Sequence, residues 1–367
     1  MQTEQKVLPR PYFPNLDGLR FFAFLIVFIS HSVLFLWNGD LYLAQGDLGV
    51  NFFFVLSGFL ITYLLYYEKE VSRGFINMKK FYVRKILRIL PVLFIVLIVA
   101  YILGSIGLKN LPFAVDLKVA DIPWFLGFVS NFYIIQATAS AAIAILWAVS
   151  VEVQFYIFWP LLVSWIKRKY IPAVLITIII LATIFRFTHS EDPNQILYST
   201  FSVISDIAIG SLFGFFAFFR KNFAEKMSAF FTRKNVILLY VVFFISVWVK
   251  MFPSRFISQP LMGLYTAILP VVFSLLFIFI IFEQNYSNFS LFKASTNKKI
   301  AYLGKISYGL YAYHMICIAI IFSILRSIGI NSGLIISIVS FIFTIFISHL
   351  SYKFIEVKVL GFKKKVQ

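Results

Sequence analysis

The chain has 367 residues, of which 61% are hydrophobic and 13% are charged, and its mean hydropathy is +0.90. A soluble domain carries about 25% charged residues, so the composition excludes a soluble globular protein and predicts an all-α, polytopic membrane bundle. The net charge of +18 does not call for a nucleic acid, because basic residues collect in the cytoplasmic loops of membrane proteins. We therefore expect the chain to lie in a lipid bilayer and to bind no nucleic acid.

Stretches of about twenty apolar residues predict about ten membrane spans. In chain order the predicted spans are 19–37, 48–67, 90–108, 147–166, 171–188, 199–219, 235–252, 261–282, 301–325 and 332–352. The weaker segment 122–137 is interrupted by Pro123, Gly127 and Asn131 and is predicted to be re-entrant or interfacial. With both termini in the cytoplasm, this layout places most of the 33 Lys and Arg residues on the cytoplasmic side. The whole chain, 1–367, is predicted to form one domain.

Ionisable residues inside a span are costly unless they are paired or line a wet cavity, so each is a functional candidate. Arg20 and His31 are eleven residues apart, which places them on one face of a helix and about 16 Å apart along it. Glu152, near the start of the fourth predicted span, falls at the same depth as His31. A carboxylate beside an imidazole raises its basicity, so the pair is a candidate for proton abstraction. A structural ion pair is the alternative.

A basic segment precedes the third predicted span, at the membrane–cytosol boundary. Arg84 and Arg88 are four residues apart, with Lys85 between them, and the two arginines form a fork that suits a phosphate or pyrophosphate group. Contact with lipid headgroups explains the same charges equally well. No HExxH, GxSxG, CxxC or glycine-rich phosphate loop occurs, and Cys317 is the single cysteine. No metal is therefore predicted.

Five ordered segments resemble the signatures of the acyltransferase-3 family of integral-membrane O-acyltransferases. They are LDGLRFFAFLIVFISH (16–31), GVNFFFVLSGFLI (49–61), FYVRKILRILP (81–91), LWAVSVEVQFYIFWP (146–160) and ISYGLYAYHMI (306–316). The resemblance implies a ten-helix enzyme of the bacterial inner membrane. Such an enzyme transfers an acyl group, commonly acetyl from cytoplasmic acetyl-CoA, to a hydroxyl of a carbohydrate acceptor, either a glycan or a lipid-linked glycan.

The resemblance also implies roles for individual residues. The family's Arg-x10-His signature falls on Arg20 and His31, and its Arg-x-x-Arg signature falls on Lys85 and Arg88, where the lysine supplies charge without a bidentate fork. We expect His31 to be the catalytic base. The other expected site residues are Glu152 as its support, Arg20, Arg84, Lys85 and Arg88 around the phosphates of coenzyme A, and Asn51, Trp147, Ser150 and His314 around the acceptor.

A proton-coupled transporter or flippase is the alternative function, since a buried His and Glu also occur in such carriers. The sequence shows neither the repeated halves nor the paired interrupted helices that would favour a carrier. The sequence leaves open the identity of the acceptor, acetyl against succinyl or a longer acyl group, direct transfer against an acyl-histidine intermediate, and the oligomeric state.

Overall fold

The computed structural model describes residues 13–32, 45–106, 115, 117–136 and 141–361. It is 84% helical, and the described ranges contain no strand. Nine helices within those ranges are long and apolar enough to cross a membrane, which confirms the predicted all-α membrane bundle. The helix that belongs to the predicted first span, 19–37, is not among the nine: it ends at His31, and residues 33–37 lie outside the described part of the chain.

The helices of the first half are α1 Pro14–His31, α2 Gly46–Val71, α3 Met78–Ser105, α4 Ile122–Leu126, α5 Ser130–Gln136, α6 Ala141–Ala144, α7 Trp147–Trp165 and α8 Ile171–Thr188. Those of the second half are α9 Pro193–Tyr198, α10 Thr200–Phe219, α11 Phe223–Phe230, α12 Arg233–Met251, α13 Pro253–Phe256, α14 Met262–Tyr286, α15 Lys298–Lys305, α16 Ser307–Ser327, α17 Gly333–Ser351 and α18 Val357–Gly361. Single 3-10 turns lie at Val119–Asp121, Arg168–Tyr170 and Gln259–Leu261, and a π-helical turn lies at Tyr352–Glu356.

The centre of the bundle is formed by helices with few lipid-facing residues, namely α1, α2, α7, α10 and α16. In contrast, α12 exposes Phe244, Ile245 and Trp248, side chains that only a lipid environment tolerates together. The central pair α2 and α10 packs backbone against backbone: a Cβ on Gly210 or Gly214 would overlap the carbonyl oxygens of Val55 and Phe59. The GxxxG spacing therefore marks a close helix contact, as such spacings do in membranes.

Residues 117–136 and 141–146 fold as short pieces that cover the beginning of α7. Residues 122–136 form the two short helices α4 and α5, and Ile143 and Leu146, just before α7, are almost fully buried. Asn131 on α5 is fully buried and accepts a hydrogen bond from the Gln154 side chain of α7 at 2.9 Å. Consequently α7 begins inside the protein, beneath this cover.

The bundle has one strongly basic end, which we call the basic end; the opposite end is the far end. Helices α2 and α7 run in the same direction, because the Lys69 ammonium donates to the Val163 carbonyl at 2.9 Å and the Trp159 indole donates to Thr62 Oγ1 at 2.8 Å. Both finish at the basic end, where α1 and α3 begin. Its exposed or half-buried cations are Lys69, Arg73, Lys79, Lys80, Arg84, Lys167, Arg168 and Lys169.

Candidate active site

His31 is the last residue of α1, toward the far end, and its ring meets a second histidine. The ring centres of His31 and His314 are 5.2 Å apart, and His314 Nε2 lies 3.3 Å from His31 Nδ1. His314 is fully buried in the second turn of α16. Gly46, at the start of α2, lies against this helix end: a Cβ there would come within 2.9 Å of Ser30 Oγ and 3.8 Å of His31 Cε1. The end of α1 is thus tightly enclosed.

Glu152 lies nearer the basic end than His31, at the level of the middle of α2. The hydroxyls of Ser57 and Tyr156 both donate hydrogen bonds to Glu152 Oε1. Its charge acts on Arg20 and Lys85, whereas no interaction joins it to His31 among the residues described. The expected pairing of His31 with Glu152 is therefore not the pairing in the structure. Equal depth would require α7 to begin at the membrane surface, but α7 begins beneath the cover formed by residues 117–136 and 141–146.

Three cations form what we call the basic cluster: Arg20 on α1, and Lys85 and Arg88 on α3. Lys85 Nζ lies 3.5 Å from the centre of the Tyr156 ring, a cation–π contact, and Arg20 donates to Asp17 Oδ1 at 2.8 Å. Arg88 is close enough to act electrostatically on both other members. It is exposed and has no hydrogen bond or ion pair to any described residue. Its guanidinium is therefore free to bind an anion.

Arg84 does not join the basic cluster. Its Nη2 forms an ion pair with Glu68 Oε2 of α2 at 3.0 Å. The fork expected from Arg84 and Arg88 therefore does not form, because the two side chains meet different neighbours. The residues that share the face toward α1 and α7 are Lys85 and Arg88, the positions on which the family's Arg-x-x-Arg signature falls.

Three of the residues expected around the acceptor are occupied with neighbours inside the protein. Each is buried and has a contact that ties two helices or segments together. Ser150 Oγ lies 2.7 Å from Ser130 Oγ, and the Trp147 ring centre lies 5.8 Å from that of Phe54. The Asn51 side-chain amide, oriented with its nitrogen toward Asp206, donates to Asp206 Oδ2 at 3.2 Å. Of the four residues, only His314 lies directly against His31.

Residues 13–353 match the profile of a family described as an acyltransferase domain. The chain belongs to this family. The match extends from the start of α1 into the π-helical turn after α17, so it includes His31, the basic cluster and Glu152. The resemblance carried by the five sequence segments is confirmed.

The acyltransferase domain is also similar to larger curated proteins. It is 27% identical to the peptidoglycan O-acetyltransferase OatA of Listeria monocytogenes over 362 residues, covering 95% of this chain and 56% of that protein. It is 28% identical to a putative O-acetyltransferase of Staphylococcus aureus strain COL, covering 94% of this chain and 57% of that protein. The O-acetyltransferase OatA of S. aureus strain NCTC 8325 is 27% identical, with 99% and 60% covered. The chain thus spans little more than half the length of these relatives. No solved structure matches it.

Two polar residues of the bundle, Tyr156 and Glu356, were missed in the sequence. Tyr156 follows Glu152 by four residues, a helical spacing that already predicts contact. Glu356 is 5% exposed, its Oε1 has no hydrogen-bond partner, and its charge acts on Arg88. It faces inward from a π-helical turn, and nothing in the local sequence KFIEVK indicates that turn. No group of three His, Cys, Asp or Glu side chains in the described ranges is arranged to hold a metal ion.

Proposed function

We propose that the chain is a membrane O-acyltransferase that moves acetyl from cytoplasmic acetyl-CoA to a hydroxyl of a cell-envelope carbohydrate. One observation carries the proposal: helix α1 connects the basic cluster, through Arg20, to the histidine pair, through His31. A holder for an anionic donor and a candidate base are thus built on one rigid element. The relatives are named as O-acetyltransferases, which supports the same reaction.

The donor site is the basic cluster. Arg88, exposed and in no hydrogen bond or ion pair with a described residue, is suited to a phosphate because a guanidinium can bind two of its oxygens at once. Lys85 and Arg20 add charge beside it. By the positive-inside rule the basic end lies on the cytoplasmic side of the bacterial inner membrane, where acetyl-CoA is available. The pantetheine arm would bridge the distance of about 16 Å from Arg20 to His31.

The transfer needs a base that takes the proton of the acceptor hydroxyl next to the thioester. In the proposed reaction the His31 imidazole takes the proton of the acceptor hydroxyl while the hydroxyl oxygen attacks the thioester carbonyl carbon. The carbon–sulfur bond then breaks, and the leaving thiolate of coenzyme A receives the proton from the imidazolium. The products are the acetyl ester and coenzyme A. An acyl-histidine intermediate would use the same residue as a nucleophile.

Glu152 takes a role different from the one expected. Because its carboxylate acts on Arg20 and Lys85, it would offset the repulsion between these two cations and hold them in place. The hydroxyls of Ser57 and Tyr156 fix its orientation. We therefore assign Glu152 to the donor side of the reaction and not to His31.

The acceptor reaches His31 from the far end. That end faces the cell envelope if the basic end faces the cytoplasm. A hydroxyl of a glycan or lipid-linked glycan is the proposed acceptor, in keeping with the peptidoglycan named for the Listeria relative.

The test compares the wild-type protein with His31→Ala and, as a matched control, His189→Ala, which alters a histidine at the far end of α8. Each purified protein is incubated with labelled acetyl-CoA and a glycan acceptor, and donor binding, coenzyme A release and labelled product are measured. We expect His31→Ala to bind the donor but to form product about 10²- to 10⁴-fold more slowly, and His189→Ala to behave as wild type. Full activity in a folded His31→Ala protein would contradict the proposal.

A further inference from the structure

His314 has a hydrogen-bond geometry that fixes the position of its own proton. Its Nδ1 lies 2.6 Å from the carbonyl oxygen of Tyr311, one turn earlier on α16. A carbonyl oxygen only accepts hydrogen bonds, so His314 Nδ1 carries a proton and donates it. The ring is fully buried and no carboxylate contacts it among the residues described, so a second proton would leave an uncompensated charge in the interior. His314 is therefore neutral, and its Nε2 is an acceptor.

The acceptor at His314 Nε2 determines the proton of His31 in turn. His31 Nδ1 is 3.3 Å away, and a contact between two ring nitrogens is a hydrogen bond only if one of them carries the proton. Since His314 Nε2 carries no proton, His31 Nδ1 must carry it. In a neutral His31 the other nitrogen, Nε2, is then unprotonated.

We propose that His314 is a positioning residue that holds His31 in the tautomer with the proton on Nδ1, so that Nε2 presents a lone pair to the reacting hydroxyl. The inference rests on the proposed role of His31 as the base. When His31 Nε2 takes the hydroxyl proton, the Nδ1–H bond to His314 persists, so the imidazolium keeps its orientation until Nε2 returns the proton to the thiolate. His314 itself neither gains nor loses a proton. A base oriented by a third group is a common arrangement in acyl transfer.

The first test reads the tautomer directly. The full chain, labelled with ¹⁵N-histidine and kept free of donor, is studied by NMR, which distinguishes protonated from unprotonated ring nitrogens. The chain has four histidines, and spectra of His31→Ala and His314→Leu assign the two signals of interest. We expect wild-type His31 to be neutral with a protonated Nδ1 and an unprotonated Nε2. A proton on His31 Nε2, with Nδ1 bare, would overturn the inference.

The second test uses two substitutions that differ in one property. His314→Leu removes the acceptor, whereas the side-chain carbonyl of His314→Gln can accept the hydrogen bond from His31. We expect His314→Leu to populate both tautomers of His31 and to lower kcat by at least about tenfold with an unchanged KM for acetyl-CoA. His314→Gln should keep the Nδ1 proton and most of kcat.

The two variants also separate this inference from the proposed function. Unchanged tautomer and kcat in a folded His314→Leu protein would overturn the inference. If that variant does not fold, loss of the Nδ1 proton in His314→Gln would overturn it as well. Full transfer activity in His31→Ala would instead show that His31 is not the base. A protonated Nδ1 in the wild-type ring would then still support the hydrogen bond from His31 to His314.

Discussion

Arg84 and Arg88 lie one turn apart on α3, yet among the described residues only Arg84 forms an ion pair. Glu68 holds Arg84 at 3.0 Å, whereas Arg88 is exposed and has no ion-pair partner among the residues that the structure describes. A guanidinium already bound to a carboxylate must break that pair before it can bind a phosphate. The two neighbouring arginines should therefore contribute very differently to donor binding.

We expect Arg88→Ala to raise the KM for acetyl-CoA about 10- to 150-fold, because a hydrogen bond to a charged group contributes about 1.5–3 kcal/mol. Its effect on kcat at saturating donor should be small, since the change is far from the reacting carbonyl. Arg84→Ala is the matched control and should change KM by less than about twofold. Steady-state kinetics with acetyl-CoA as the varied substrate measure both, and an equal rise in the two variants would contradict the assignment of the donor site.

Sequence spacing was sufficient to place Arg20 and His31 on the same helix, because both fall within one apolar segment. It was not sufficient to choose between Arg84 and Lys85, because the choice depends on Glu68, a residue of another helix. The pairing of His31 with His314 was equally hidden, since the two are far apart in the sequence. Partners across helices depend on how the helices pack, which periodicity does not specify.

At the scale of elements, the contact of α2 with α10 is a backbone contact. Gly210 and Gly214 of α10 face the carbonyl oxygens of Val55 and Phe59, and Gly58 of α2 faces that of Ile207. Close approach of this kind is the main source of helix association in lipid, where burial of apolar area gives little. Because α2 carries Ser57, which binds Glu152, the contact also sets the depth of the donor site.

Replacing Gly210 with alanine should push α2 and α10 apart and lower the stability by about 1–3 kcal/mol, as overpacking does in closely packed cores. Gly361→Ala is the control, because a Cβ at Gly361 meets no atom of the described residues within 4 Å. Thermal unfolding of the two proteins in detergent gives the comparison. A Gly210→Ala protein as stable as the control would show that the two helices do not pack as described.

Hydrophobic length predicted the long helices well; for example, α7 runs from Trp147 to Trp165. It could not predict α4, α5 and α6, because helices of four to seven residues are too short for a length or periodicity signal. Those short helices cover the start of α7. Because this cover could not be predicted, Glu152 was expected at the depth of His31.

At the scale of the whole molecule, the charges are unevenly distributed between the two ends of the bundle. The loops at the basic end carry clusters such as Lys79, Lys80 and Arg84, and Lys167 to Lys169. The far end has few basic residues, and Lys250 there is paired with Asp47 at 2.9 Å. By the positive-inside rule we expect the basic end to face the cytoplasm.

Cysteine labelling tests this orientation, because the single native cysteine, Cys317, is buried. Glu191→Cys introduces an exposed thiol at the far end, and Glu225→Cys introduces one at the basic end. In intact cells a membrane-impermeant maleimide should label the Glu191→Cys protein and not the Glu225→Cys protein, whereas both should react after the cells are broken. Labelling of Glu225→Cys alone in intact cells would reverse the orientation.

In the proposed reaction, donor and acceptor reach His31 from opposite ends of one bundle. Transfer of labelled acetyl to glycan in right-side-out membrane vesicles, with their orientation checked by the same labelling, tests it most directly. With glycan outside, we predict product when acetyl-CoA is loaded inside, and none above the His31→Ala background when acetyl-CoA is supplied only outside. Product formed equally fast with donor and glycan both outside would contradict the account.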